Sequence, residues 1–310
     1  MQIYFDERQQ QHSPKAFLLR GKVVDSPERP ERAEAFLAAL AQGNHPVSAP
    51  KDHGEDPIDA VHDPGYLHFL RSGHRSWSAE PGASPEITPN IHPNRHMATK
   101  PSGMIGVVGW YTADTACPVG AHTWEGAYWS AQTALSAADH LVETGETALA
   151  LCRPPGHHAY HDMAGGFCFL NNAAIAAQRL RQVHDRVVIL DVDVHHGNGT
   201  QGIFYERNDV LTVSLHGDPS VFYPWYAGYA EETGHGAGAD CNLNIPLPRG
   251  TGDREFLDAL PQAFEKIRAF DPGAVIVALG LDGSEQDPLQ FFQITTEGFR
   301  RMGAAIAGLP

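Results

Sequence analysis

The chain has 310 residues, 42% of them apolar, enough to bury a large core, and nothing in its composition forces a division into two domains. Lys and Arg total 22 against 37 Asp and Glu, a formal charge of -15 that argues against binding a phosphate backbone and favours cationic partners. The N-terminus lacks a basic segment ahead of an apolar core, and no apolar run of about 18 residues occurs. The four cysteines, Cys117, Cys152, Cys168 and Cys241, are widely spaced. The expectation is a reduced, soluble, cytoplasmic protein with neither nucleic acid nor membrane as a partner.

In chain order, residues 2–5 read as a first strand, and residues 26–40 open on a Ser-Pro cap signal before a helical apolar pattern. Helical spacing over residues 60–69 is interrupted by Asp63-Pro-Gly65, so a turn precedes a helix there. Residues 79–102, rich in Pro, Asn, His and Ser, are a long insertion loop within one domain spanning 1–310, and their His92 and His96 read as solvated. Alanine-rich helical patterns cover 130–142 and 172–183, with a strand over 148–152 between them. Cys152 and Cys168, in apolar surroundings, read as packing residues. Apolar runs at 187–190 and 274–280, and the stretch 210–215 interrupted by Thr212 and Ser214, read as buried strands, with a helix over 253–270. This alternation predicts an α/β fold with a mostly parallel sheet and helices on both faces. Gly234, Gly236 and Gly238 follow acids rather than a strand, and read as a flexible loop rather than a nucleotide-binding turn.

The strand at 187–190 runs directly into Asp191, Asp193 and His195, which lie two apart and so point to one side of an extended segment. A carboxylate and an imidazole converging at a strand end make half of a zinc or iron site. The neighbouring strand ends add Arg153-Pro-Pro-Gly-His-His158, Ser214-Leu-His216 and Gly280-Leu-Asp282. Asp282 is the natural third ligand, and two carboxylates with one imidazole leave coordination positions open, as catalysis needs. His157 and His158, fixed behind a Pro-Pro-Gly turn, suit acid–base work near neutral pH, with Asp191 and Asn198 as groups that could fix their tautomers.

These residues resemble the histone deacetylase superfamily, and among its members the bacterial acetylpolyamine amidohydrolases. The resemblance runs from Arg32-Ala-Glu34 through Val61-His-Asp-Pro-Gly-Tyr66 and Thr123-Trp-Glu125 to Gln286-Asp-Pro288. Its most specific motifs are Arg153-Pro-Pro-Gly-His-His158, Gly166-Phe-Cys-Phe-Leu-Asn-Asn172, Asp191-Val-Asp-Val-His-His-Gly-Asn-Gly-Thr-Gln201 and Leu215-His-Gly-Asp-Pro219. The resemblance implies the arginase–deacetylase fold, a three-layer α/β sandwich, with Zn2+ on Asp193, His195 and Asp282 and Fe2+ as the alternative ion. It implies a histidine pair, His157 with Asp191 and His158 with Asn198, that moves protons from water to the leaving amine. A structural K+ would use Asp191, Ser214 and the backbone carbonyls of Asp193, His195 and Leu215. Phe167 and Tyr223 would line the acyl channel, the Gly166 carbonyl would lie at its floor, and Asp114 would attract the cationic end of the substrate. The products would be acetate and a free amine, and the partner of the insertion loop would be a second copy of the chain.

Two departures stand out. Ser102 occupies the approximate place of a second insertion-loop glutamate, which bears on polyamine preference. The resembled family also closes its site with a Gly-Gly-Tyr turn after one further strand, and no Tyr follows Tyr229 here. The expectation is that the natural chain continues past Pro310 to that strand and tyrosine. A chain ending at 310 would then be poorly stable and nearly inactive. Three other functions compete: an acetyl-lysine deacetylase of histone type, a dimanganese ureohydrolase of arginase type, and a silent metal-binding sensor that lacks the oxyanion tyrosine.

Overall fold

In the computed structural model, which describes residues 1–309, five of the six strand pairings are parallel, as the alternation of strand and helix patterns predicts. The chain forms two compact units, the first ending at Arg179 and the second beginning at Leu180.

The first unit runs through β1 (Gln2–Tyr4), the antiparallel hairpin β2 (Ala16–Leu19) and β3 (Lys22–Asp25), α1 (Glu31–Gln42), β4 (Val47–Ser48) and the short α2 (Asp56–Asp59). It continues with α3 (Pro64–Trp77), α4 (Met104–Trp110), α5 (Thr123–Thr144), β5 (Ala148–Ala150) and α6 (Asn172–Leu180), whose last residue opens the second unit. Its parallel sheet has the order β4-β1-β5. α1 starts later than the Ser26 signal predicts. Ser26 spends its hydroxyl on the Glu28 N–H, and Pro30 has no N–H for a helical bond, so the helix begins just after it. α3 starts as expected from Asp63, whose side chain accepts from the Tyr66 N–H, with Pro64 in the first turn. It buries Tyr66, Leu67, Phe69, Leu70 and Trp77 along one face against Val108, Leu135, Phe169 and Ile175. Each fully buried aliphatic or aromatic side chain there contributes about 1.5–3 kcal/mol relative to exposure.

Residues 79–102 contain no helix or strand, as expected, but the loop is fastened. Ile87 is buried and exchanges backbone bonds with Val119, and a Cβ at Gly109 would lie 1.7 Å from the Ile91 carbonyl oxygen. His92 is half-buried with Nδ1 2.7 Å from the Thr112 carbonyl oxygen, so it is a fastening of this loop rather than a solvated ring.

The second unit contains β6 (Val187–Asp191), α7 (Asn198–Phe204), β7 (Val210–Gly217), β8 (Asn242–Leu247), α8 (Asp253–Phe270), β9 (Ala274–Ala278) and α9 (Thr296–Ile306). The parallel sheet order is β8-β7-β6-β9, so β6 is flanked on both sides and every residue of it is buried. Its register pairs Asp191 with Ser214 on β7 and with Ala278 on β9, which brings three strand ends to one level. α8 lays Phe256, Leu260, Ala263, Phe264 and Ile267 into a core with Val188, Leu190, Leu211, Val213 and Phe292. The glycine loop is closely packed instead of flexible: a Cβ at Gly234 would lie 1.9 Å from the Gly238 carbonyl oxygen, and one at Gly238 would lie 2.5 Å from that of Tyr205. The four cysteines are free thiols, Cys168 fully buried and Cys152 partly so, in keeping with packing roles. Among the described residues no helix is long and apolar enough to cross a membrane.

Candidate metal centre and histidine loop

Beyond β6 the chain stays extended for one more bond, Val192 N–H to the Ala278 carbonyl, and then turns. Carboxylates organise the turn. Asp191 accepts from the Asp193 N–H at 3.1 Å, Asp193 accepts from the His195 N–H at 2.8 Å, and Asp282 accepts from the Val194 N–H at 3.1 Å. These bonds fix the backbone so that Asp193, His195 and Asp282 converge, each offering a ligand atom within 4.8 Å of the others. His195 Nδ1 lies 2.9 Å from Asp282 Oδ2 and 3.1 Å from Asp193 Oδ1. Asp193, His195 and Asp282 are the one such group of three or more metal-binding side chains among the described residues.

The electrostatics of this group fit a cation. Burial works against a charged imidazole, yet hydrogen bonds and charge from Asp193 and Asp282 outweigh it and push His195 up to about 10. Burial and the neighbouring Asp193 charge raise the Asp282 carboxyl. Two carboxylates held together out of bulk water need positive charge between them, and the donor set of two oxygens and one nitrogen suits a divalent ion with open positions.

The imidazole is also held from the side. Phe222 stacks on the His195 ring with centroids 4.8 Å apart and rests on Phe291 at 4.0 Å, and Tyr223 meets His195 edge-on at 5.9 Å. Gly280 sets the approach of Asp193: a Cβ there would lie 1.9 Å from Asp193 Oδ2. Asp191 and Asn198 are buried, Ser214 Oγ lies 2.8 Å from His216 Nδ1, and Leu215 is fully buried.

In the first unit, β5 leads into the loop that carries His157 and His158, whose rings lie 3.9 Å apart, with His158 buried and His157 partly exposed. The loop is anchored at its base. Arg153 donates its backbone N–H to Gln9 Oε1 at 2.6 Å and its Nη1 to the Gln9 carbonyl at 2.9 Å, and its Nε pairs with the fully buried Glu28 at 2.8 Å. Ser130 and Asn172 both donate to the Pro154 carbonyl. A Cβ at Gly156 would lie 2.5 Å from the Asn172 nitrogen, so the motif glycine is required by close approach. His62 closes the far side, with Nδ1 3.2 Å from the His161 carbonyl and Nε2 accepting from the Asn171 N–H at 3.0 Å. Burial pushes it down to about 4, so it serves as a neutral ring.

Gly166 and Phe167 form the tip of a tight turn in which Gly165 and Cys168 exchange backbone bonds, with φ of 51° and 67°. Both central residues at positive φ match a type I′ turn, a costly conformation for a phenylalanine and one that collects at functional sites. Asp114 holds this turn: its Oδ2 accepts from the Gly166 N–H at 3.0 Å and its Oδ1 from the Ala116 N–H at 2.8 Å.

Among these side chains, Phe222, Phe291, Gln9, Glu28, Ser130 and His62 are given no part in the site by the sequence alone. His62 lies inside the 61–66 motif, which gives it no role by itself, and Gly280 reads in the sequence only as the lead into Asp282. Their roles come from distances between remote segments, for which a single sequence carries no signal.

The chain is similar to known proteins over nearly all of its length. Residues 26–310 match the model of the histone deacetylase domain. The chain is 46% identical to an acetylpolyamine amidohydrolase of Burkholderia pseudomallei across 100% of this chain and 90% of that protein, and 44% identical to one of Mycoplana ramosa, covering 92% of it. A crystal structure of the acetylpolyamine aminohydrolase from Burkholderia pseudomallei superposes with a TM-score of 0.95 at 47% identity, over 99% of this chain and 89% of that one. The HDA15 HD domain gives a TM-score of 0.81 at 28% identity, over 99% and 80%. The arginase–deacetylase α/β fold implied by the motifs is therefore the fold of this chain.

Proposed function

The chain belongs to the histone deacetylase domain family, and from that premise we propose that it is a metal-dependent amidohydrolase that removes acetyl groups from small cationic N-acetylated amines, acetylpolyamines foremost, releasing acetate and free amine. The observation that carries this reading is the convergence of Asp193, His195 and Asp282 in a chain 46% identical, over its whole length, to a protein named for that activity. The single three-residue group among the described residues favours one metal ion over the two of a ureohydrolase.

A divalent cation on Asp193, His195 and Asp282, Zn2+ by the resemblance with Fe2+ as the alternative, supplies Lewis acidity toward a carbonyl and lowers the pKa of a water. The chain supplies the rest. His157 and His158 take a proton from the attacking water and deliver one to the leaving nitrogen, since an imidazole can both accept and donate a proton. Asp191 and Asn198 are assigned the holding of their tautomers. Asp191 and Ser214, paired across β6 and β7, with the carbonyls of Asp193, His195 and Leu215, are assigned a structural K+. Phe167 and Tyr223 are assigned to the acyl chain and the Gly166 carbonyl to its end. Asp114, whose carboxylate organises the Phe167 turn, is assigned the attraction of the substrate ammonium. Homodimerisation through residues 79–102 and a cytoplasmic location complete the reading.

The test is a substrate panel of acetylputrescine, acetylcadaverine, acetylspermidine and acetyl-lysine peptides given to the full-length protein with zinc. Acetylated polyamines should have the highest kcat/KM. Preference for the peptides would move the protein to the histone-type class, and zinc binding without acetate release from any of them would mark a sensor. A monomeric mass with unchanged selectivity for small substrates would remove the dimer.

A further inference from the structure

Phe222 and Tyr223, which stack on and abut the His195 ring, lie on a long segment between β7 and β8 that has no strand and only one short helical turn. Phe222 joins the apolar core, but the segment exposes Trp225 and Tyr226 beyond it, so apolar burial accounts for only part of its shape. A buried polar cluster accounts for the rest. Gln201, on α7, presents Oε1 to three donors: Asn242 Nδ2 and Asn244 Nδ2 at 2.9 Å, and His196 Nε2 at 3.0 Å. The amide nitrogen of Gln201 donates to Glu232 Oε2 at 2.6 Å. That same carboxylate oxygen accepts from the Gly228 N–H at 2.9 Å, while the Gly228 carbonyl oxygen lies 2.8 Å from His216 Nε2.

Both backbone groups of Gly228 are therefore tied down, and the residue itself sits at φ 105° against the two histidines, where a Cβ would lie 2.7 Å from His196 Cγ. From Gly228 the constraint passes to the aromatic pair over a short path. The Tyr229 hydroxyl donates to the Trp225 carbonyl at 2.8 Å, and the Trp225 N–H donates to the Phe222 carbonyl at 3.0 Å. Asn242 and Asn244 occupy inward positions of a strand where apolar residues would pack at no desolvation cost. A densely hydrogen-bonded polar cluster in such a place fixes one geometry in a way that apolar packing does not, although Asn244 Oδ1 is buried without a hydrogen-bond partner.

We propose that Glu232, gripped by Gln201, is a positioning residue for substrate recognition: it fixes Gly228 and thereby the placement of Phe222 and Tyr223 beside His195. The proposal rests on the amidohydrolase reading above. It predicts that the clamp acts on substrate fit and not on metal binding, because Glu232 touches none of Asp193, His195 and Asp282.

The experiment compares Glu232→Ala and Glu232→Gln in the full-length zinc-loaded protein. All contacts of the side chain are acceptances at one oxygen, which a glutamine amide oxygen can reproduce. Glu232→Ala should raise KM for acetylputrescine by about tenfold or more, with kcat within about threefold and zinc content unchanged. Amide hydrogen exchange at Gly228 should quicken by about tenfold. Glu232→Gln should restore KM and exchange to within about twofold. If Glu232→Ala does not fold, Glu232→Asp, which withdraws the acceptor by one methylene, should show the same direction of change. Unchanged KM and exchange in Glu232→Ala, or equal impairment by alanine and glutamine, would overturn the proposal. Absence of turnover in the unaltered protein would instead sink the amidohydrolase reading, and exchange at Gly228 would still decide whether Glu232 holds the segment.

Discussion

Gly280 makes room for Asp193 in the cluster, because the space a Cβ would take is filled by an Asp193 carboxylate oxygen at 1.9 Å. Gly280→Ala should therefore displace Asp193 and weaken zinc binding by about 10–100-fold, with the fold retained, as a zinc titration would show. Two further substitutions separate ligand from acid–base group. Asp193→Ala should lose zinc and turnover together, since a site with three protein ligands does not readily lose a carboxylate. His158→Ala should keep zinc while kcat falls by about 10²–10⁴-fold. An empty site in His158→Ala would show that the residue is a ligand. The converging group was legible because Asp193 and His195 continue a buried strand at spacing two from Asp191, and Asp282 follows the end of another. Phe222 and Gly280 were not, because their parts in the site are contacts with His195 and Asp193 that no local pattern encodes.

At the scale of elements, the entries to β6 and β7 are joined by Asp209, which accepts from Arg207 Nε at 2.8 Å and Nη2 at 2.7 Å and from Arg181 Nε at 2.7 Å. The Arg207 hydrogen bond leads in holding this carboxyl down at about 2, against the opposing effect of burial and with help from Arg181. An unfolded aspartate titrates at about 3.9, so the group stabilises the fold fully above that value and loses the contribution as pH falls toward 2. The side chain is 26% exposed, and the contribution is about 2 kcal/mol. Asp209→Asn should lower stability by about that amount at pH 7 and flatten its dependence between about pH 4 and 2, which denaturant titrations at several pH values would measure. If the unaltered protein and the Asp209→Asn variant lose stability in parallel over that window, Asp209 is not the titrating group. The strands β6, β7 and β9 and helix α8 were readable from apolar runs and helical spacing. β8 was not, because its inward positions are Asn242 and Asn244, which break the strand pattern for the sake of the polar cluster.

For the molecule as a whole, the excess of acidic over basic residues sets up a field that favours cations near the surface. For acetylated amines that carry a free ammonium, kcat/KM should fall as ionic strength rises from about 10 to 500 mM, while a neutral N-acetyl amine should respond little. Equal salt dependence for both would mean that charge does not guide the substrate. The parallel α/β class was legible because strand and helix patterns alternate along the chain. The fastening of residues 79–102 was not, since Ile87, Ile91 and His92 are held by backbone contacts with Val119, Gly109 and Thr112 that leave no periodic trace.

The most direct measurement of the central claim is acetate release by the full-length protein given zinc and acetylputrescine, with metal content determined on the same sample. One zinc per chain, with acetate and putrescine appearing in equal amounts, is the expected result. A fully zinc-loaded protein that releases no acetate, or one that turns over only with two metal ions bound, would contradict it.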